Sequence, residues 1–251
     1  MTSSGTDERP TGNLSDEPEP AEVFLEHGLP TSDGIAPDGS GAPSREPDEL
    51  LPRVVSEMGN VDRNIYRAVA ATPTPTLDDA FRKLSLFADH GKLWFTVAGV
   101  TALVGGKRGR QAAIDGILAL GLSSAVVNQG LKAALPRSRP DREHYQVIVA
   151  RHVPLPTSTS FPSGHSASAF AFANGASGAM PELAVPLHVL AAAVAWSRVH
   201  TGVHYPADVL VGSLVGGSVG QIVGGLHRRR SLRRLTRGLA RRSQSGRGDG
   251  D

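Results

Sequence analysis

Residues 197–226 read SRVHTGVHYPADVLVGSLVGGSVGQIVGGL, and this stretch decides what kind of chain it belongs to. Its second part, Val209 to Leu226, carries no charge and mixes aliphatic residues with Gly, Ser and one Gln. Pro206 suits the first position of a helix, where its missing N–H would have no partner in any case. The pattern predicts a helix that starts at the proline and runs through the apolar segment. Gly212, Gly216, Gly217 and Gly220 crowd it with small residues, which lets helices approach closely in lipid.

Working outward, four more apolar stretches appear: Leu93 to Gly106, Ala112 to Leu131, Ser166 to Met180, and Leu183 to Ser197. The expected fold class is all-α, a transmembrane helical bundle. Several stretches fall short of the roughly 20 apolar residues a spanning helix needs, so buried helices of a soluble all-α protein are the competing reading. The placement of charge favours the membrane. Lys107, Arg108 and Arg110 follow the first stretch. Arg228, Arg229, Arg230, Arg233, Arg234, Arg237, Arg241 and Arg242 follow the fifth. In a five-pass bundle both clusters share one face, and basic flanks mark that face as cytoplasmic. The loops after the second and fourth stretches then share the non-cytoplasmic face of a multi-pass protein of the cell membrane.

The mean hydropathy of −0.15 averages this apolar middle with two polar ends. The net charge of +2 likewise hides an acidic start, with Asp7, Glu8, Asp16, Glu17, Glu19, Glu22 and Glu26, and a basic finish. Residues 1–48 are too poor in aromatic and β-branched side chains to offset the entropy of ordering, so this acidic tail reads as disordered. It has no basic segment followed by an apolar run and does not read as a signal peptide. Residues 49–90 form an amphipathic helical region, with Leu51, Val54, Val55 and Met58 at helix spacing and a break at Pro73 and Pro75. Residues 91–226 are the membrane domain. Residues 227–251 are a basic cytoplasmic tail suited to anionic lipids. Nucleic acid is not an expected partner, because no aromatic residues are interleaved with the arginines. The chain has no cysteine, which excludes disulfides and thiolate metal sites.

The loops expected to share one face carry the chemistry. Lys132 is followed, after six residues, by Arg139 and Pro140; a Lys and an Arg near a helix end offer fixed positive charge and a fork of donors to phosphate oxygens. Phe161-Pro162-Ser163-Gly164-His165-Ser166 opens the third stretch. Ser163 suits an N-cap, the following backbone N–H groups suit an anion, Gly164 permits close approach, and His165 could protonate a leaving oxygen. Ser197-Arg198 precedes, by five residues, His204-Tyr205-Pro206-Ala207-Asp208. Arg198 adds a third cation. A carboxylate at Asp208 could orient the His204 ring for nucleophilic attack. His200, His204 and Asp208 also stand four apart, like metal ligands on one helix face. Gly202 and Pro206 interrupt any such helix, so His200 reads as a neighbour rather than a ligand.

Each piece is modest alone. Their order and spacing together resemble the type 2 phosphatidic acid phosphatase (PAP2) family, whose motifs read Lys-x6-Arg-Pro, Pro-Ser-Gly-His and Ser-Arg-x5-His-x3-Asp, and in particular its bacterial integral-membrane lipid phosphatases. The resemblance covers roughly residues 84–226. It implies a helical bundle, six-pass in the membrane members, shared with the vanadium haloperoxidases. It implies a metal-independent phosphatase in which His204 becomes phosphohistidine, Asp208 orients it and His165 protonates the leaving group. Lys132, Arg139, Ser163, Gly164 and Arg198 would hold the phosphate oxygens, with no cofactor. The implied substrate is a lipid phosphate: phosphatidate, a polyprenyl diphosphate or a polyprenyl-linked sugar phosphate. The first spanning helix of that architecture is missing here, with the amphipathic region in its place. A vanadium haloperoxidase-like enzyme and a non-catalytic membrane protein that binds anionic lipid are the alternatives. The apolar stretches count against the first, and the intact His165, His204 and Asp208 against the second.

Overall fold

The computed structural model describes the backbone of residues 47–245 and the side chains of residues 57–226, with Arg228 and Arg229. Among the described residues there are helices and loops but no strand. The acidic stretch lies outside them apart from Pro47 and Asp48, which open the first helix.

Helices α1 (Pro47–Ala71) and α2 (Pro75–Ala88) occupy the amphipathic region. Helix α3 (Lys92–Val104) follows a left-handed turn at His90 and Gly91. Gly105 alone separates it from α4 (Gly106–Ala125), and Gly106 takes φ +58°, a conformation that side chains disfavour. The turn is so tight that Lys107, Arg108 and Arg110 lie in the first turns of α4 rather than in a loop. Helix α4 continues unbroken through π-helical Val126–Leu131 into a last turn, α5 (Lys132–Ala134). After a long loop come α6 (Gly164–Ser177), α7 (Ala184–His200) and α8 (Pro206–Ser245). The fifth apolar stretch thus runs without a break into the basic tail.

Among the described residues three helical segments are long and apolar enough to cross a membrane: Gly106–Ala134, Pro181–His200 and Pro206–Leu226. Helices α3 and α6 have 13 and 14 residues. At 1.5 Å per residue each spans about 20 Å, short of the roughly 30 Å hydrocarbon core. The five stretches are therefore five helices of two kinds, not five equal spans. Helix α6 is central, with Ala167, Ala169, Ala171, Phe172, Ala173 and Ala176 all buried between α4, α7 and α8.

A glycine stripe brings α6 and α8 together in parallel. A methyl group added to Gly212 would overlap the carbonyl of Ser163; one at Gly216 would overlap that of Ala167, and one at Gly220 that of Ala171. Gly217 faces only the Asn174 amide, at an ordinary 3.6 Å. With α4 and α7 running the other way, the start of α6 and α8 meets the end of α4 and α7. At the far end of the bundle Arg108 reaches the Ala179 carbonyl and pairs with Glu182 at 3.0 Å. On the near end α1 docks through Tyr66 and Ala70 against Val147 and Val199, with the Tyr66 ring 5.0 Å from Tyr145 and 5.2 Å from Tyr205.

Candidate active site

Every catalytic and phosphate-binding candidate named from the sequence sits at the end of the bundle where α4 and α7 finish and α6 and α8 begin. The turn Thr201–Tyr205 joins α7 to α8 and places His204 inside, 2% exposed. Its Nδ1 lies 3.5 Å from Asp208 Oδ2 and has no full hydrogen bond, while its Nε2 lies 3.4 Å from a terminal nitrogen of Arg139. Because arginine can only donate, Nε2 must carry the lone pair, which leaves the proton on Nδ1, facing the carboxylate. Burial pushes the imidazole down to about 4, with the charges of Arg198 and Arg139 adding to burial and Asp208 opposing it. The ring is therefore neutral near pH 7. Asp208 is fully buried in the first turn of α8 and accepts the Tyr205 N–H at 2.9 Å.

The phosphate-type donors come from separate elements. Arg139 is held by the Ser158 carbonyl at 2.9 Å and the Val203 carbonyl at 3.0 Å. Lys132, in the last turn after the π-helical segment, donates to Ser158 Oγ at 3.1 Å. Ser163 is the N-cap of α6 and accepts the Ser166 N–H, so the first N–H groups of α6, at Gly164 and His165, have no helical partner. Arg198 is 1% exposed and donates to Ser85 Oγ, with Asp89 3.8 Å away; its Nε has no partner.

His165 meets Asp89, from the turn between α2 and α3, at 2.8 Å. Burial works to raise the Asp89 carboxyl, but the His165 hydrogen bond and the nearby positive charge outweigh it and hold it below the usual carboxylate range. His200 does not join this group. It bonds Asp78 at 3.0 Å, where the buried Arg151 also binds at 2.8 Å. Helix α7 ends at His200 and α8 starts at Pro206, so the continuous helix a metal ladder would need is broken.

A cavity of about 650 Å³ collects the site: Lys132, Arg139, Gly164, His165 and His204 line it on the polar side, with Asn128 and Gln129 from the π-helical segment. Trp94, Phe95 and Leu120 form an apolar wall. Ser163, Arg198 and Asp208 are buried just behind the lining.

This arrangement has relatives. Residues 112–231 match the PAP2 superfamily. The chain is 36% identical over 142 residues to decaprenylphosphoryl-5-phosphoribose phosphatase of Mycobacterium tuberculosis, a match covering 57% of this chain and 76% of the relative. The chain belongs to the PAP2 superfamily. Among solved structures it is similar to Aquifex aeolicus LpxE, with a TM-score of 0.50 and 28% identity over 65% of this chain and 94% of that one. It also shares its fold with a transmembrane PAP2 type phosphatidylglycerolphosphate phosphatase from Bacillus subtilis, at TM-score 0.57 and 23% identity, covering 72% and 92%. As a PAP2 phosphatase with three helices able to span, the protein is a membrane protein.

The PAP2 motifs did not point to everything near the site. Asp89 and Ser85 hold His165 and Arg198 from the amphipathic region. Arg137, inside the first motif's spacer, pairs with Asp208 at 2.8 Å and with Asp62 of α1 at 2.6 Å. An acidic residue on the face of α1 that also carries Tyr66 was the available signal for Asp62.

Proposed function

We propose that this PAP2 protein is a membrane lipid phosphatase that hydrolyses a phosphate ester or diphosphate of a lipid through a phosphohistidine at His204, without a metal. The observation that carries this reading is the convergence of Lys132, Arg139, His165 and His204 on one cavity that Trp94, Phe95 and Leu120 also line. A phosphate fits the cationic side and a hydrocarbon chain the other.

In the proposed reaction Arg139, Lys132, Arg198 and the α6 N–H groups at Gly164 and His165 hold the phosphate oxygens, with Ser163 fixing that turn. His204 Nε2 attacks phosphorus as Asp208 accepts the Nδ1–H, and the phosphorus–oxygen bond to the lipid breaks. His165 gives its proton to the departing oxygen. Water then attacks the phosphohistidine, His165 takes a proton from it, and phosphate leaves with His204 restored.

The decaprenyl-linked substrate named for the mycobacterial relative supports a polyprenyl-linked phosphate over phosphatidate. Orientation follows from the ends of the bundle. Arg108 lies at the end away from His204, and basic flanks favour the cytoplasm, so the site opens on the non-cytoplasmic face. Anionic headgroups would meet the arginine-rich tail on the other side.

The test is phosphate release by detergent-purified protein from phosphatidate, farnesyl diphosphate and a polyprenyl-linked sugar phosphate, with and without EDTA. Release that survives EDTA, stops with orthovanadate and vanishes in His204→Ala is expected. Full activity in His204→Ala, or loss with EDTA, overturns the mechanism. Peroxide-dependent halogenation with vanadate bound would favour the haloperoxidase reading.

A further inference from the structure

Three carboxylate and guanidinium groups form a chain behind His204 that the motifs do not contain. Arg137 donates through one terminal nitrogen to Asp208 Oδ1 at 2.8 Å and through the other to Asp62 Oδ2 at 2.6 Å. The second oxygen of Asp62 accepts the Ala207 N–H at 2.8 Å, in the first turn of α8. The guanidinium lies over the Tyr205 ring, 4.2 Å from its centre. Asp62 is 6% exposed and belongs to α1, ahead of the residues that match the PAP2 superfamily.

Resting on the phosphohistidine reading above, we propose that Arg137 and Asp62 are positioning residues of the reaction, which fix the Asp208 carboxylate and through it the His204 ring. The geometry gives each oxygen one task. With Oδ1 of Asp208 engaged by Arg137, Oδ2 is left to the Tyr205 N–H and to His204 Nδ1. Two carboxylates against one guanidinium leave a net negative charge, so Asp208 keeps the charge that stabilises the imidazole as it gains the phosphoryl group. Asp62 in turn holds both the guanidinium and the start of α8, the helix that carries Asp208. A lysine keeps the charge but lacks the two separated terminal nitrogens with which Arg137 meets the two carboxylates. Helix α1, which the motifs ignore, thereby becomes part of the catalytic apparatus rather than a cover on the bundle.

Neither side chain lines the cavity that holds His204, although Arg137 borders a smaller one of about 410 Å³ beside Arg139, so the chemical step more than substrate capture should suffer. With farnesyl diphosphate in detergent, Arg137→Ala is expected to lower kcat by about tenfold or more while KM changes by less than about threefold. Arg137→Lys should fall between it and the wild type. Asp62→Asn keeps the acceptor for Ala207 and removes the charge that holds Arg137, so it should lower kcat in the wild type and have little further effect in Arg137→Ala. Thermal unfolding in detergent is run on each variant, and if Arg137→Ala does not fold, Arg137→Lys and Asp62→Asn carry the comparison. An unchanged kcat in folded Arg137 variants, a rise in KM alone, or fully independent effects of the two sites overturns the proposal. Wild type and His204→Ala run alongside. A wild type inactive on farnesyl diphosphate, phosphatidate and the polyprenyl-linked sugar phosphate alike, or an active His204→Ala, would instead bring down the functional reading, and this inference with it.

Discussion

His165 Nε2 lies 2.8 Å from Asp89 Oδ1, which ties the first turn of α6 to the turn before α3. Burial, with the charges of Arg198 and Lys132, holds the His165 imidazole below its ordinary value, and the Asp89 carboxylate opposes them by stabilising the protonated ring, the form a general acid needs before it gives up its proton. A nucleophile is required whatever departs, whereas an acid matters most for a poor leaving group. His165→Ala is therefore expected to be severely impaired on a lipid monophosphate and partly restored on p-nitrophenyl phosphate. Asp89→Asn should follow the same pattern with a smaller loss. Equal losses on both substrates would make phosphate binding the main task of His165.

The burial of His204 sets a pH dependence. With its imidazole pushed down to about 4, the neutral ring that the proposed nucleophile needs predominates above that pH and is lost as pH falls through it. The acid limb of kcat/KM is thus expected near pH 4, well below the roughly 6.5 of an ordinary histidine. An acid limb at the ordinary value that persists in His165→Ala would mean that His204 is not the buried neutral ring described.

Asp208→Asn keeps the size of the side chain and removes the charge that faces Nδ1. The protein should fold as before and lose activity on the order of a hundredfold or more, because the ring loses the partner that fixes its tautomer. Thermal unfolding and kcat on the same preparation separate the two effects.

The glycine stripe predicts an asymmetry between neighbours. Gly216→Ala would drive a methyl group into the Ala167 carbonyl, whereas Gly217→Ala meets only the Asn174 amide at 3.6 Å. Gly216→Ala should cost roughly 1–3 kcal/mol of stability through overpacking, and Gly217→Ala little. Equal unfolding temperatures for the two variants would refute the close packing of α6 on α8.

Topology can be read by cysteine labelling, since the native chain has no cysteine to interfere. Thr157→Cys, at an exposed position in the loop beside the site, should react with an impermeant reagent on intact cells, and Ser243→Cys should not. The reverse pattern would place the site on the cytoplasmic face.

Much of this was legible in the sequence because the determining signals are local. Pro206 and Ser163 announce helix starts by their own backbone chemistry, and the α8 helix begins where the proline stands. Lys132, Arg139, His165, Arg198, His204 and Asp208 could be named because each lies close to a helix end, where spacing along the chain is nearly spacing in space. The glycines of α8 announced close packing without saying against what. Their partner, the line of carbonyls on α6, exists only once the two helices run side by side. The same limit hid Asp62, Ser85 and Asp89: each reaches its partner across more than seventy positions of chain, with no periodicity to link them. Helix length was a tertiary matter too. Apolar composition made five stretches look alike, but tight turns and packing left α3 and α6 short and let α4 grow through its π-helical segment to 29 residues. Sequence by itself named the candidate groups and the helix ends at which they stand. Only the tertiary structure decided what holds them, because an ion pair between distant segments depends on where the chain folds back and leaves no local pattern behind.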